Sequence, residues 1–230
     1  MKDKLNILVI DTATEACSVA VSTNNGNANQ FEVCPQQQSQ KLLPMVDEVL
    51  KRAKSDLSEM TLLAYGRGPG SFTGVRIATG MIQGLALGTG LPVVGVSTLA
   101  AMAYQVAQTE HSTRIGVAID ARMNEVYFAV YDYCDGELTE LVKEQVCSPE
   151  IALSQLPDGV KHFAGTGWGA YDTLVEVTQN AVVTVMYPDA QYMLTLAATG
   201  YAKGLATAVE DVAPVYLRDT VTWKKLPGRE

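Results

Sequence analysis

The first apolar run, Leu5 to Ile10, is continuous and ends in Asp11. A run without alternation predicts a strand covered on both faces. Thr12, Ala13, Thr14 and Glu15 make a polar turn, and Cys17 to Val21 returns as a second strand. Asn24, Asn25, Gly26 and Asn27 predict a hairpin turn, because Asn and Gly tolerate positive φ. Gln30 to Val33 is the third strand. The period then lengthens. Leu42, Leu43, Met45, Val46, Val49, Leu50 and Ala53 recur at helical spacing over about 39–54, with Ser39 to cap the helix or Pro44 to open it. Their apolar arc is wide. It serves either burial on two sides within the chain or a partner polypeptide.

Thr61 to Tyr65 reads as a strand end and runs into Gly66, Gly68, Pro69 and Gly70, a loop able to hold positive φ. Ser71 or Thr73 offers a capping oxygen for a helix over about 73–89. Gly80, Gly84 and Gly88 fall on one face of that helix, beside an apolar stripe of Ile77, Met81 and Leu85. Each glycine costs roughly 1 kcal/mol against alanine in a helix interior. Three in one row predict backbone approached closely by something. Two readings are open: a tightly packed internal helix, or a helix that docks another chain. Arg76 lies on the same row and reaches either a partner's anion or an acid of its own chain.

Leu91 to Val96 is a buried strand, and Ser97 caps a helix to about Ala107. The polar stretch 108–113 makes a domain boundary. Beyond it the opening pattern returns. Ile10-Asp11 is followed by Val19-Ala20-Val21, and Ile119-Asp120 is followed at the same offsets by Phe128-Ala129-Val130. The echo predicts two related βββαβα halves, 1–107 and 108–230. The second continues with a turn at Cys134, Asp135 and Gly136, a strand at Leu138 to Val142, and a short helix after Ser148-Pro149. His162 to Ala164 enters a second glycine loop, GTGWG at 165–169. A helix at Tyr171 to Val177, a strand at Ala181 to Met186 and a long helix opened by Pro188 follow. That last helix, about 190–207, is a candidate to pack back on the first lobe. Pro214 to Arg218 is extended. Strands alternating with helices define an α/β class.

A net charge of −8 argues against direct contact with nucleic acid or an anionic membrane, since phosphate binding wants clustered cations. Arg218, Lys224, Lys225 and Arg229 form the one basic cluster, read as a solvated tail. Cys17, Cys34, Cys134 and Cys147 show no paired spacing, which points to a reducing cytosol rather than a disulfide frame or zinc site. Ala78 to Ala103 is uncharged, yet its glycines, Gln83 and Pro92 split it into a buried helix and a strand. The N-terminal run is a strand, not a leader peptide. His111 and His162 stand far apart, with no paired-His helix motif, so a zinc-hydrolase centre is not expected and neither is peptidase activity.

Six ordered blocks then carry a resemblance: 7–21 (ILVIDTATEACSVAV), 39–50 (SQKLLPMVDEVL), 66–86 (GRGPGSFTGVRIATGMIQGLA), 92–103 (PVVGVSTLAAMA), 119–129 (IDARMNEVYFA) and 214–219 (PVYLRD). Together they resemble the TsaB (YeaZ) family, within the actin, Hsp70 and sugar-kinase superfamily. The resemblance implies two actin/Hsp70-like (ASKHA) lobes, each a mixed sheet with helices. It implies a cytoplasmic, non-catalytic scaffold in threonylcarbamoylation of tRNA adenosine next to the anticodon. Its implied partners are TsaD and TsaE, with a homodimer when TsaD is absent and tRNA met only through the complex. The docking face would be the two helices 39–54 and 73–89, through Leu42, Met45, Val46, Val49, Leu50, Arg76, Ile77, Gly80, Met81, Gly84 and Gly88. Relatives carry a His just before the Ser matching Ser39; here it is Gln38, so no role of that His carries over.

The superfamily also cradles phosphates with Asp-opened hairpin loops and a glycine loop. Asp11, Thr12 and Thr14, then Asp120 with Arg122, then Gly165 and Gly167 occupy those positions. Yet Ala13 and Asn124 stand where close backbone approach wants glycine. The loops are read first as fold relics, with Asp11 and Asp120 bonding local backbone. No cofactor is expected for the chain alone, and ATP or ADP only within the complex. The alternative reading is an ATP-binding phosphotransferase or ATPase of the same superfamily.

Overall fold

The computed structural model describes residues 5–178 and 183–218 of the 230. The described strands form two five-stranded sheets. In the first, β1 (Ile7–Asp11), β2 (Ala16–Ser22), β3 (Asn27–Val33), β4 (Leu62–Gly68) and β5 (Val93–Ser97) lie in the order β3-β2-β1-β4-β5. In the second, β6 (Arg114–Arg122), β7 (Glu125–Cys134), β8 (Glu137–Cys147), β9 (His162–Ala164) and β10 (Val183–Val185) lie in the order β8-β7-β6-β9-β10. The first three strands of each half pair antiparallel and the last two join in parallel. The second sheet therefore repeats the first strand for strand.

The apolar run of β1 is continuous because both its faces are covered. Leu8 and Ile10 point to one side, where α1 (Gln38–Arg52) and α2 (Phe72–Thr89) pack side by side. Ile7 and Val9 point to the other, where α6 (Ala190–Ala202) brings Ala190, Met193 and Ala197. The helix after β5, α3 (Thr98–Glu110), crosses to the second sheet and buries Leu99, Met102 and Val106 against Ile115, Val117 and Ala129. The opposite face of that sheet holds Phe128, Phe163 and Trp168 under α4 (Pro149–Ser154) and α5 (Asp172–Thr178). Each half is thus βββαβαβα rather than βββαβα. Its last helix serves the other half's sheet, so neither sheet is fully covered by its own half.

Several boundaries differ from the sequence reading, each for a local reason. α1 begins at Gln38 with no side-chain cap, so Ser39 does not cap it, and Pro44 sits inside it rather than opening it. The Pro removes one ladder bond on a solvent-facing turn, and burial of the inward face holds the helix. The first hairpin turns earlier, through reciprocal bonds of Thr23 and Gly26, which lengthens β3. β8 runs on to Cys147 because its backbone stays paired with β7. Asp189, not Pro188, caps α6, and the helix stops at Ala202 with Gly204 at φ +74°. Thr207 has already left it to bridge Val93. The expected tail cations Lys224, Lys225 and Arg229, Asp219 of the last block, and the first two residues of the 181–186 strand lie outside the described residues.

The segment after α6 returns along the first half. Val212 is buried beside α2, the Tyr65 hydroxyl donates to the Ala213 carbonyl at 2.7 Å, and the Val215 amide donates to Arg67 at 2.8 Å. It reaches the second half, where Arg218 Nε donates to Glu125 at 3.0 Å. A second tie joins the halves: Arg67 reaches Glu144 at 3.3 Å, and the Tyr131 hydroxyl donates to the same carboxylate at 2.9 Å.

Candidate functional site

The glycine loop between β4 and α2 closes on the β1–β2 turn, backbone against backbone. A Cβ on Gly70 would overlap the Ala13 carbonyl, and one on Gly74 the Thr12 carbonyl. The Ser71 amide donates to Ala13 at 2.7 Å, and the Thr12 hydroxyl donates to Gly74 at 2.7 Å. Ser71 in turn caps α2, accepting from the Gly74 amide. Asp11, Thr12 and Thr14 are buried beneath this closure. One Asp11 oxygen accepts from Ala13 at 3.2 Å; the other faces Gly66 with no partner among the described residues. Burial pushes the Asp11 carboxyl up to about 7, and the Ala13 bond opposes it.

The second loop closes the same way. Gly165 (φ +103°) and Gly167 lie against the Ala118 backbone, with no room for a Cβ on either. Asp120 accepts from Tyr171 at 2.8 Å and from the Arg122 amide at 2.9 Å, and pairs with the Arg122 guanidinium at 2.7 Å. The six positions named for a nucleotide are therefore engaged with the chain's own backbone and neighbours.

The helix-forming residues after Ser71 give the opposite picture. A Cβ on Gly80, Gly84 or Gly88 would meet nothing within 4 Å. These glycines, with Phe72 and Arg76, form one row at i, i+4 spacing along the outer face of α2, and all five are exposed. Phe72 is 60% and the adjoining Leu87 72% exposed. Ile77 and Met81 are half-buried, one side on the core and the other at the edge of the row. The α1 positions require a correction. Leu42, Met45, Val46, Val49 and Leu50 are the helix's inward face, buried on β2 residues Cys17, Val19 and Val21. They are unavailable to a partner. What α1 leaves open is Leu43, 52% exposed, with Pro44, Asp47 and Glu48.

Where the two helices begin, a cleft of about 470 Å³ opens between Thr14, Gln38, Ser39, Thr73, Ile77 and Arg122. Gln38 is built into its wall, donating to the Thr14 carbonyl at 2.9 Å. Sequence reasoning passed over Phe72 and Leu87, and placed Leu43 on the apolar arc of its helix without naming it as a docking residue. Phe72 lies four residues before Arg76, so extending the glycine row by one turn finds it. Nothing in the spacing marks Leu43 as the outward member of its helix. Among the described residues no three His, Cys, Asp or Glu side chains group to hold a metal ion, and no described helix is long and apolar enough to cross a membrane.

Two mixed sheets in the same strand order, each braced by the other's last helix, define a two-lobed α/β protein of the actin-like class. The family model of TsaD, tRNA N6-adenosine threonylcarbamoyltransferase, matches residues 32–226. Within that class the chain belongs to the TsaB family. It is 47% identical to the tRNA threonylcarbamoyladenosine biosynthesis protein TsaB of Escherichia coli K12, over 98% of this chain and 100% of that one. It is 42% identical to TsaB of Haemophilus influenzae, over 98% and 99%. YeaZ from Pseudomonas aeruginosa superposes with a TM-score of 0.82 at 38% identity, covering 93% of this chain and 100% of that structure.

Proposed function

We propose that the chain is a non-catalytic scaffold of tRNA threonylcarbamoyladenosine biosynthesis that docks TsaD on the outer face of α2. The observation that carries this is the exposed Gly80–Gly84–Gly88 row with nothing of the chain's own above it. Exposed glycines inside a helix cost stability and return nothing to an isolated chain. A helix laid against them regains that cost through close backbone packing. TsaD fits as the occupant because this chain itself matches the TsaD family model over residues 32–226. Related folds offer related helix pairs, so the two subunits meet about a pseudo-twofold axis. Without TsaD, a second copy of the chain takes the same place. TsaE joins the assembly, tRNA is met only there, and the setting is the cytoplasm.

The closed loops support a chain that binds no nucleotide alone, since Asp11, Thr12 and Gly165 have no surface left for a phosphate. Nucleotide then belongs to the complex. Size-exclusion chromatography with light scattering tests the reading: a dimer alone, converted to a one-to-one heterodimer by TsaD. A monomer that forms no complex with TsaD would overturn it. Titration calorimetry with millimolar ATP should register no heat for the isolated chain. An Asp11-dependent ATPase would replace the scaffold by an enzyme.

A further inference from the structure

We propose that Arg76 is a pre-set carboxylate clasp at the head of the glycine row, selecting a docked protein by one acidic side chain; this rests on the docking role of α2. The guanidinium lies 3.3 Å from the Phe72 ring centroid and 5.4 Å from that of Tyr216. Its Nε donates to the Tyr216 hydroxyl at 2.8 Å. The two rings stand 6.1 Å apart, so the cation sits against both. Tyr216 is itself positioned by the returning segment, through the neighbouring Val215 amide on Arg67.

This arginine is unlike the others among the described residues. Arg67, Arg114, Arg122 and Arg218 each pair with a carboxylate of the chain, and Arg52 donates to the Asn29 carbonyl. Arg76 has the two aromatic rings and no described acid. Its Nε is used; the N–H groups of both Nη atoms remain as a planar fork with the geometry of a carboxylate. An exposed arginine loses side-chain freedom when a partner fixes it, and that loss weakens binding. Here stacking and the tyrosine bond have already fixed it. Phe72 and Tyr216 keep 60% and 46% of their surface exposed, so the rings also offer an apolar collar to whatever carries the acid.

The occupant is protein rather than RNA. Arg76 is the one charged residue of α2, beside an apolar glycine row on a chain of net charge −8, and a single cation on that helix is not the clustered charge that phosphate backbones require. From Arg76 to Gly88 the row spans about 18 Å of helix. A partner helix lying along it, with one Asp or Glu over Arg76, fits that length.

The test is the affinity of purified TsaD for Arg76→Ala, Arg76→Lys and Tyr216→Phe variants, with Gly84→Leu as the control for the face. The clasp predicts a loss of about 30-fold or more for Arg76→Ala. Arg76→Lys should lose about fivefold or more, because lysine keeps the charge but not the fork or the stack. Tyr216→Phe should weaken binding with the ring retained. The thermal midpoint of the free chain should fall by no more than about 4 °C, the share of one exposed stacking contact and its hydrogen bond. Arg76→Glu should be rescued by reversing one acidic residue on TsaD, which locates the carboxylate. If both Arg76 variants bind within twofold of wild type while Gly84→Leu does not bind, the face stands and the clasp falls. If Gly84→Leu also binds normally, the docking reading fails with it. If Arg76→Ala spares TsaD binding but reduces tRNA retention by the complex, the fork serves phosphate and the proposal is overturned.

Discussion

The two halves of the molecule share a strand order and differ in what covers it. Between β3 and β5 the first half carries helices of 15 and 18 residues; between β8 and β10 the second carries helices of 6 and 7. The second half covers its sheet with little helix because one side chain fills the space. Trp168 is fully buried, 4.5 Å from Phe163 and 6.3 Å from Phe128 between ring centroids. The first half covers an equal sheet with far more helix than the sheet needs, and the surplus is the outer face of α2. A duplicated fold thus separates two tasks. The half with short helices closes that face over Trp168 and its aromatic neighbours, and the half with long helices leaves the outer face of α2 bare, the surface proposed above to be covered by another chain.

The largest expected effect is on the half with short helices. Trp168→Ala should cost about 3–5 kcal/mol in urea unfolding, as removal of a buried aromatic does. A loss under about 1 kcal/mol would mean that the short helices hold that half without it. Next come the glycines, which sort the two kinds of surface. Gly165→Ala forces a Cβ into the Ala118 carbonyl at a positive φ and should cost on the order of 3 kcal/mol.

Asp11 gives a pH signature of the closed first loop. Its folded carboxyl titrates near 7 against an unfolded value near 4, so the folded state holds the proton to higher pH. Stability is then greatest below about pH 4, falls as pH rises towards 7, and is level above. Asp11→Asn should remove most of this slope and exceed wild type at pH 8 by on the order of 2 kcal/mol. Equal slopes for both proteins between pH 5 and 7 would show that Asp11 is solvated. The smallest effect has the opposite sign. Gly84→Ala meets open space and should stabilise the free chain by up to about 1 kcal/mol while weakening its association. A destabilised free chain would place that glycine in an internal contact.

The glycines also show how far the sequence could be read. Gly66, Gly70 and Gly74 recur every four residues, as do Gly80, Gly84 and Gly88. The first three lie against the end of β1 and the turn after it, and a Cβ on any of the last three would meet nothing within 4 Å. Spacing marks both as places of close approach and cannot name the neighbour, because the neighbour of Gly70 lies far away in the chain. The same limit misplaced the α1 residues. The wide arc from Leu42 to Leu50 marks a helix that buries much, yet a helical wheel does not show how much of that arc β2 takes up. The strands were more legible. A run such as Leu5 to Ile10 needs cover on both faces, and the repeated Ile-Asp ending marked the duplication before any coordinate. The traded helices α3 and α6 were not marked, since an apolar stripe carries no address for the sheet it will meet.

Hydroxyl-radical footprinting of the chain, alone as a diluted monomer and in complex with TsaD, tests the docking face most directly. Phe72 and Leu87 should lose most of their labelling in the complex, while Ile151 on α4 and Val175 on α5, exposed on the second half, keep theirs. Unchanged labelling at Phe72 and Leu87 in a complex that demonstrably forms would contradict the account.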